Sequence, residues 1–520
     1  MFIKSLLLIL FFAVTIGVGL YYRKRASDVD SFVLGGRAVG PWLTAFAYGT
    51  SYFSAVIFVG YAGQFGWRFG VASTWVGLGN AFIGSLLPWV ILGRRTRVMT
   101  RHLNSATMPE FFAKRFNSTP LKIAASVIVF VFLIPYTASL YNGLSRLFAM
   151  AYKVDFVYCI IAMAVLTGVY VIAGGYFATA VNNFIQGIIM LIGIVVVIAV
   201  ALGSKGGFLS SIELLANVNA GDPGSTPGVF ASFFGPEPLN LLGVVLLTSL
   251  GTWGLPQMVG KFYAIKSEKA ISKGTIISTV FAIVIAGGCY FLGGFGRLFA
   301  DGASVGANGF DSIIPSMLAN IAGTMAPVLA DLLIGLVIIM VFAASISTLS
   351  SLVMASASTF ILDFLKDHFV KKMDDKKQLL SIRMLVVVFI VISSVIAIVQ
   401  YRGGIALIAQ LMGVSWGALA GAFLAPFLYG LYSKRISRVS VWCSFLFGSL
   451  LMIANMLFRD SFPAIIQSPI NAGAFAMIAG LIIVPVVSLF TPKLSDEHTE
   501  SCFSCYDEKV VVNVKQDLGV

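Results

Sequence analysis

The sequence predicts an all-α polytopic membrane protein of about 13 transmembrane helices, with a 5+5 inverted-repeat core whose first helices are broken. Three observations predict it: an apolar composition, the number of long apolar segments, and glycine or proline at matching places in two of them. Of the 520 residues, 58% are hydrophobic and 11% are charged, whereas soluble domains carry about a quarter charged residues. Such a chain needs lipid as its solvent.

Apolar segments long enough to cross a hydrocarbon core follow one another along most of the chain. They lie near 2–22, 41–66, 73–93, 121–149, 156–174, 182–203, 239–261, 274–296, 326–364, 379–400, 404–432, 439–457 and 470–490.

The net charge of +13 lies in short basic clusters between apolar segments, which argues against nucleic acid as a partner. Cytoplasmic loops of membrane proteins hold the basic residues. This rule predicts that the N-terminus is outside and the C-terminus is in the cytoplasm. The inner loops then receive Arg23 to Arg25, Arg94 to Arg101, Lys266 to Lys273, Lys366 to Lys377 and Lys434 to Arg438.

The chain termini are predicted to be a retained helix at 1–22 and a cytoplasmic tail at 491–520. Basic residues directly follow the first apolar run, which has no small-residue cleavage site, so it does not read as a signal peptide. Cys502 and Cys505 form a C-x-x-C in the tail, with too few further ligands nearby to predict a metal or redox site.

The Gly- and Pro-rich segment 204–238 separates two sets of five helices, at 41–203 and 238–432, with two additional helices at 439–490. Because each set contains an odd number of helices, the second lies upside down relative to the first. This arrangement is typical of inverted-repeat transporters.

The first helix of each set contains an interruption. Tyr48-Gly49-Thr50-Ser51 lies in one, and Gly251-Thr252-Trp253-Gly254-Leu255-Pro256 lies in the other. Such residues can unwind a helix where it lines a cavity. Close helix packing through small residues is the alternative for each helix alone, but matching positions favour two broken helices.

The ninth apolar segment carries a hydroxyl-rich patch, Ala344-Ser345-Ile346-Ser347-Thr348. A proton-driven carrier usually places Asp, Glu or His inside the bundle, and no carboxylate stands in either interruption. Neutral oxygens are sufficient for sodium, so the patch and the break near Thr50 together suggest a sodium site. Hydrogen bonds to the carbonyl one turn back are the alternative role for these hydroxyls.

Several short motifs resemble those of the sodium:solute symporter family. They are Phe32-Val33-Leu34-Gly35-Gly36-Arg37, Ala173-Gly174-Gly175-Tyr176, Asn183-x-x-Gln186-Gly187 and Ala344-x-x-Ser347-Thr348-Leu349-Ser350. The resemblance extends to about Pro492. It implies a ten-helix core with one helix before it and two after it.

The resemblance also implies a sodium site. Its ligands fall on the main-chain carbonyls of Thr50, Phe53 and Ala344 and on the hydroxyls of Ser347 and Thr348.

Many family members bind a second sodium with an aspartate on the fifth core helix. This chain has Asn183 there, with Ser350 and Ser351 as remnants of the second site. We therefore expect one sodium per cycle. No lysine stands on that helix either, so a fixed ammonium is not expected.

We expect the solute to lie beside the sodium, near both breaks. The candidate lining residues are Tyr52, Ser54, Thr252, Trp253 and Gln257, with Gln410 and Trp416 from the tenth core helix. Arg146, near the outer end of its helix, is expected to extend toward the membrane interface.

The predicted function is a sodium-coupled symporter of the plasma membrane that imports an amino acid such as proline, or a monocarboxylate or pantothenate-like acid, by alternating access. Sodium and the solute are the expected ligands; no organic cofactor and no obligate protein partner are expected. A proton-coupled carrier of the same fold and a transporter-like membrane sensor are the alternatives. A membrane enzyme is disfavoured, because the chain has three histidines and few intramembrane carboxylates.

Overall fold

The computed structural model describes residues 2–22, 28–51, 53–218, 227–302, 305, 309–366, 373–403 and 408–506. The predictions for Arg23 to Arg25, Tyr52 and part of the Lys366 to Lys377 loop lie outside these residues. We number the helices of the predicted core 1 to 10 in chain order.

Helices dominate the described residues, as predicted. An N-terminal helix spans Phe2–Tyr22. Core helix 1 comprises Pro41–Thr50, Val56–Tyr61 and Ala62–Phe69, and core helix 2 comprises Thr74–Ala81, Phe82–Leu86, Trp89–Gly93 and Arg94–His102. Core helix 3 is Thr119–Tyr152, and Phe156–Gly203 contains core helices 4 and 5. Core helix 6 comprises Pro238–Gly254 and Pro256–Ala264, and core helix 7 comprises Glu268–Ala282, Ile283–Gly287 and Gly288–Gly293. Core helix 8 comprises Pro327–Thr359 and Phe360–Leu365, core helix 9 is Asp375–Gly403, and core helix 10 is Ile408–Tyr432. Arg438–Leu457, Pro469–Phe490 and the tail helix Asp496–Phe503 follow.

Ten helices among the described residues are long and apolar enough to cross a membrane, or eleven if the bent pair of core helix 6 is one span. The predicted count of thirteen is not confirmed by this criterion. Phe156–Val169 falls short of the required length. Val56–His102 passes as a single span, although the chain turns within it at Gly70 (φ 62°, ψ −144°).

Both predicted interruptions are present. The first half of core helix 1 ends at Thr50, with Ser51 as its C-cap, and the second half begins after Ser54. Core helix 6 bends by 45° between Gly254 and Pro256, because Leu255 is extended (φ −81°, ψ 121°) and Pro256 starts a new helix without needing an amide donor.

The two broken helices meet at one face of the bundle. The Val39 amide donates to the Ala264 carbonyl (3.2 Å), and the Lys266 amide donates to the Val39 carbonyl (3.0 Å). Arg97 donates to the Ile265 carbonyl, and Lys434 pairs with Glu500 of the tail. Arg95 also donates to the Leu431 carbonyl. The predicted inner loops at Arg94 to Arg101, Lys266 to Lys273 and Lys434 to Arg438 therefore lie on one side, which we call the basic face.

Burial separates the interior helices from the periphery. In the most apolar 18-residue stretch of core helix 8 and of core helix 10, 83% of the residues are buried. In that of the N-terminal helix, 22% are buried. Leu6, Ile9 and Leu10 are exposed on that helix, where lipid is the natural neighbour. The hydroxyl-rich patch therefore lies in the centre of the bundle.

Candidate functional site

The unwound segment of core helix 1 presents main-chain carbonyls to core helix 8. Thr50 is the last residue of its half-helix, whose carbonyl end carries partial negative charge. The chain is irregular at Phe53 and Ser54, and the Ala55 amide donates to Ser345 Oγ of core helix 8 (3.1 Å). Side chains of core helix 8 therefore bind main-chain groups released at the break.

The five predicted sodium ligands come together. Ser347 Oγ lies 2.8 Å from the carbonyl oxygens of both Thr50 and Ala344. Thr348 Oγ1 lies 3.1 Å from the Thr50 carbonyl, 3.4 Å from that of Phe53 and 3.0 Å from that of Ala344. All five residues are buried. We call these oxygens the oxygen cage.

The cage fits a small cation chemically. Its oxygens are neutral, and they lie together where the first half of core helix 1 ends. One hydroxyl proton can satisfy one carbonyl at a time, whereas a cation attracts all five oxygens together. Unwound carbonyls and half-helix C-termini are the groups that coordinate sodium in broken-helix transporters.

The remnants of the predicted second site are only partly gathered. Ser350 Oγ and Ser351 Oγ donate to the Ser347 carbonyl (2.9 and 3.0 Å), and Ser351 Oγ also lies 2.9 Å from Ser51 Oγ. Asn183 is fully buried, and its amide has no hydrogen-bond partner among the described residues. The structure therefore does not join Asn183 to the serines through a hydrogen bond.

Two solute candidates on core helix 6 contact core helix 2. Thr252 Oγ1 donates to the Gly84 carbonyl (2.8 Å), and Trp253 Nε1 donates to the Ile83 carbonyl (2.8 Å). These bonds hold the break in place, and a solute role for either side chain stays a prediction.

Three further solute candidates, Ser54, Trp416 and Gln410, lie in different environments. Ser54 lines a small apolar cavity with Phe53 and Ala344. Trp416 is fully buried and packs over Gly251, where a Cβ would lie 2.5 Å from its ring. Gln410 is half-buried near the start of core helix 10.

Gln257 lines a second cavity, which extends from Ser351 toward Thr107 at the basic face and has a volume of about 70 Å³. Core helices 5, 6 and 8 form its walls.

Sequence reasoning missed Lys261. It lies on the second half of core helix 6, is 4% exposed, and its Nζ is 3.1 Å from Ser351 Oγ. The expectation that no fixed ammonium is present considered only core helix 5. An intramembrane charge marks a functional site by default, and Lys261 is the one charged residue of Pro256–Ala264.

Arg146 is held differently from the expectation. Its Nε lies 3.8 Å from Asp311 Oδ2, and Asp311 is buried. Because the partner carboxylate is inside the protein, this guanidinium is tied to the bundle.

The family model that matches this chain is that of the sodium:solute symporter family, over residues 32–448. The chain belongs to the sodium:solute symporter family. It is thus a multi-pass transporter of the plasma membrane and not an enzyme.

Curated relatives match along almost their whole length. The osmoregulated proline transporter OpuE of Bacillus subtilis is 27% identical over 91% of this chain and 93% of its own. The sodium/proline symporter of Staphylococcus aureus (strain JH9) is 26% identical over 94% of this chain and 92% of its own.

A solved structure of similar fold is that of a sodium-coupled sialic acid symporter, described as a substrate-bound outward-open state. It matches with a TM-score of 0.72 at 17% identity and covers 95% of this chain and 99% of its own. At this identity the match concerns the fold alone.

Proposed function

We propose that this symporter uses a sodium gradient to import a small organic solute by alternating access, with one sodium per cycle. The observation that supports the proposal is the oxygen cage, in which the break of core helix 1 meets core helix 8. Sodium bound there links two elements that lie far apart in the chain. It is therefore suited to stabilise one relative arrangement of the repeats, proposed at 41–203 and 238–432.

The single sodium is supported by the composition of the second site. Asn183 brings no negative charge, and Ser351 is engaged by Ser51 and Lys261. A second cation would lie close to the Lys261 ammonium and would be repelled by it.

The solute is proposed to be an amino acid such as proline, or a monocarboxylate or pantothenate-like acid. The similarity to a proline transporter of Bacillus subtilis and to sodium/proline symporters of Staphylococcus aureus supports proline first. The orientation with the N-terminus outside is supported by the gathering of basic loops at one face.

Uptake into proteoliposomes tests the coupling. With labelled L-proline and the other acids as probes, an inward sodium gradient at equal pH should drive accumulation. A proton gradient without sodium should not. Accumulation that follows the pH gradient and ignores sodium would establish the proton-coupled alternative.

A further inference from the structure

Lys261 is a buried cation without a carboxylate partner. No Asp or Glu of the described residues forms an ion pair with it, and its neighbours are Ser351 Oγ at 3.1 Å and the ring of Tyr176 at 5.1 Å. The buried carboxylate of Asp363 is engaged elsewhere, by Thr107 (2.5 Å) and Lys122 (3.3 Å). A buried charge without a counter-charge is costly, so an anion bound beside Lys261 would stabilise the charged ammonium form of its side chain.

The cavity that Lys261 lines is rich in further donors. Gln257 is 4% exposed, and neither its Nε2 nor its Oε1 has a hydrogen-bond partner among the described residues. Tyr176 and Tyr263 also line this cavity, and their hydroxyl groups have no hydrogen-bond partner among the described residues. These groups offer an anion several hydrogen-bond donors around one ammonium.

From this geometry we infer that the cavity is a binding site for a small monoanion, held by the Lys261 ammonium with the side-chain amide of Gln257. The chemistry fits a carboxylate or a chloride. If the anion is the carboxylate of the transported solute, the site is a station between the oxygen cage and the basic face; this reading rests on the proposed function.

The anion site is connected to the oxygen cage. Ser351 Oγ contacts Lys261 Nζ and also donates to the carbonyl of Ser347, whose hydroxyl belongs to the cage. An anion beside Lys261 offsets the repulsion between its ammonium and a sodium in the cage. Anion and sodium should therefore bind cooperatively.

The test is a thermal-stability titration of the full-length protein in detergent at constant sodium concentration, with acetate or chloride replacing sulfate as the anion. Wild type should gain stability saturably with acetate, chloride or both. The variant Lys261→Gln should need about tenfold more anion or more, because a charge-assisted bond is lost. Lys261→Arg should retain the response.

Lys4→Gln is the matched control. Lys4 is also a buried lysine, but it bonds the Ala151 carbonyl and lies 3.8 Å from Asp331, away from this cavity. Its anion response should equal that of wild type. Should Lys261→Gln fail to fold, Gln257→Leu must weaken the anion response in its place. An absent wild-type response, or one unchanged in Lys261→Gln and Gln257→Leu, would overturn the anion site.

A transport arm distinguishes the sources of the anion. If the solute carboxylate occupies the site, Lys261→Gln should raise the half-saturating L-proline concentration for exchange from the basic face. If inorganic anions occupy it, only the chloride response changes. If uptake is driven by sodium but the anion response does not depend on Lys261, the anion site alone is rejected. If the anion response depends on Lys261 but uptake is not driven by sodium, the proposed function alone is rejected.

Discussion

At the scale of single residues, main-chain and side-chain ligands have different consequences. Thr50 contributes its carbonyl to the oxygen cage, while its own hydroxyl donates to the Phe46 carbonyl one turn back (2.8 Å). Ser347 and Thr348 contribute side-chain oxygens. Replacement of a side chain removes a ligand only in the second case.

Thr50→Val should therefore leave sodium dependence nearly unchanged. Valine has a similar shape and keeps the carbonyl, so the half-saturating sodium concentration should shift by less than about threefold, since only a modest intrahelical hydrogen bond is lost. Sodium titration of uptake measures this. A much larger shift would mean that the Thr50 hydroxyl is itself a ligand.

At the scale of elements, a close helix crossing fixes the second half of core helix 1 against core helix 7. A Cβ on Gly66 of core helix 1 would lie 2.0 Å from the main chain of Gly293, and one on Gly293 would lie 2.1 Å from the Ala62 carbonyl. The second half of core helix 1 is thus packed directly on core helix 7. Substitution there must move one helix relative to the other.

Gly293→Ala should destabilise the protein by roughly 1–3 kcal/mol or more, because backbone cannot yield as a flexible side chain does. Gly287→Ala, in the same core helix, is the control, since nothing lies within 4 Å of a Cβ there. Thermal unfolding of both variants in detergent compares them. Equal melting temperatures would contradict the crossing geometry.

Sequence patterns predicted the helical class and both interruptions, because these depend on local signals: apolar length and glycine or proline within a segment. The complete ligand set of Thr50, Phe53, Ala344, Ser347 and Thr348 was implied by the family resemblance. The bonds of Thr252 and Trp253 to core helix 2 and the pairing of Arg146 with Asp311 depend on neighbours far along the chain. A single sequence does not specify these neighbours. Lys261 could have been identified as a candidate from the sequence, because it is the one charged residue in the second half of core helix 6.

At the scale of the whole molecule, the tail closes the basic face. His498 Nε2 lies 3.3 Å from the Arg115 carbonyl, and the Tyr506 hydroxyl donates to the Arg95 carbonyl (3.1 Å). Burial lowers the pKa of Arg115 to about 10, so its guanidinium remains charged at neutral pH and lies over the Phe503 ring. Cys502 and Cys505 are buried in this contact, and no metal-binding cluster occurs among the described residues.

Thiol labelling tests the proposed orientation. Ser504 of the tail and Ser204 after core helix 5 are both exposed, so Ser504→Cys and Ser204→Cys present thiols on opposite sides. A membrane-impermeant maleimide should label Ser204→Cys in intact cells and Ser504→Cys in inside-out vesicles. The wild-type protein, with four buried cysteines and the half-buried Cys443, gives the background labelling. The reverse pattern would invert the topology.

The oxygen cage is tested most directly by the half-saturating sodium concentration of uptake in Ser347→Ala and Thr348→Val. Ser126→Ala serves as the control, because Ser126 is a buried serine that bonds only the Ile123 carbonyl of its own helix. Each cage variant loses one oxygen from the cation, so the sodium requirement should rise by about tenfold or more, while Ser126→Ala should match wild type. Cage variants that fold and transport with the wild-type sodium requirement would contradict the account.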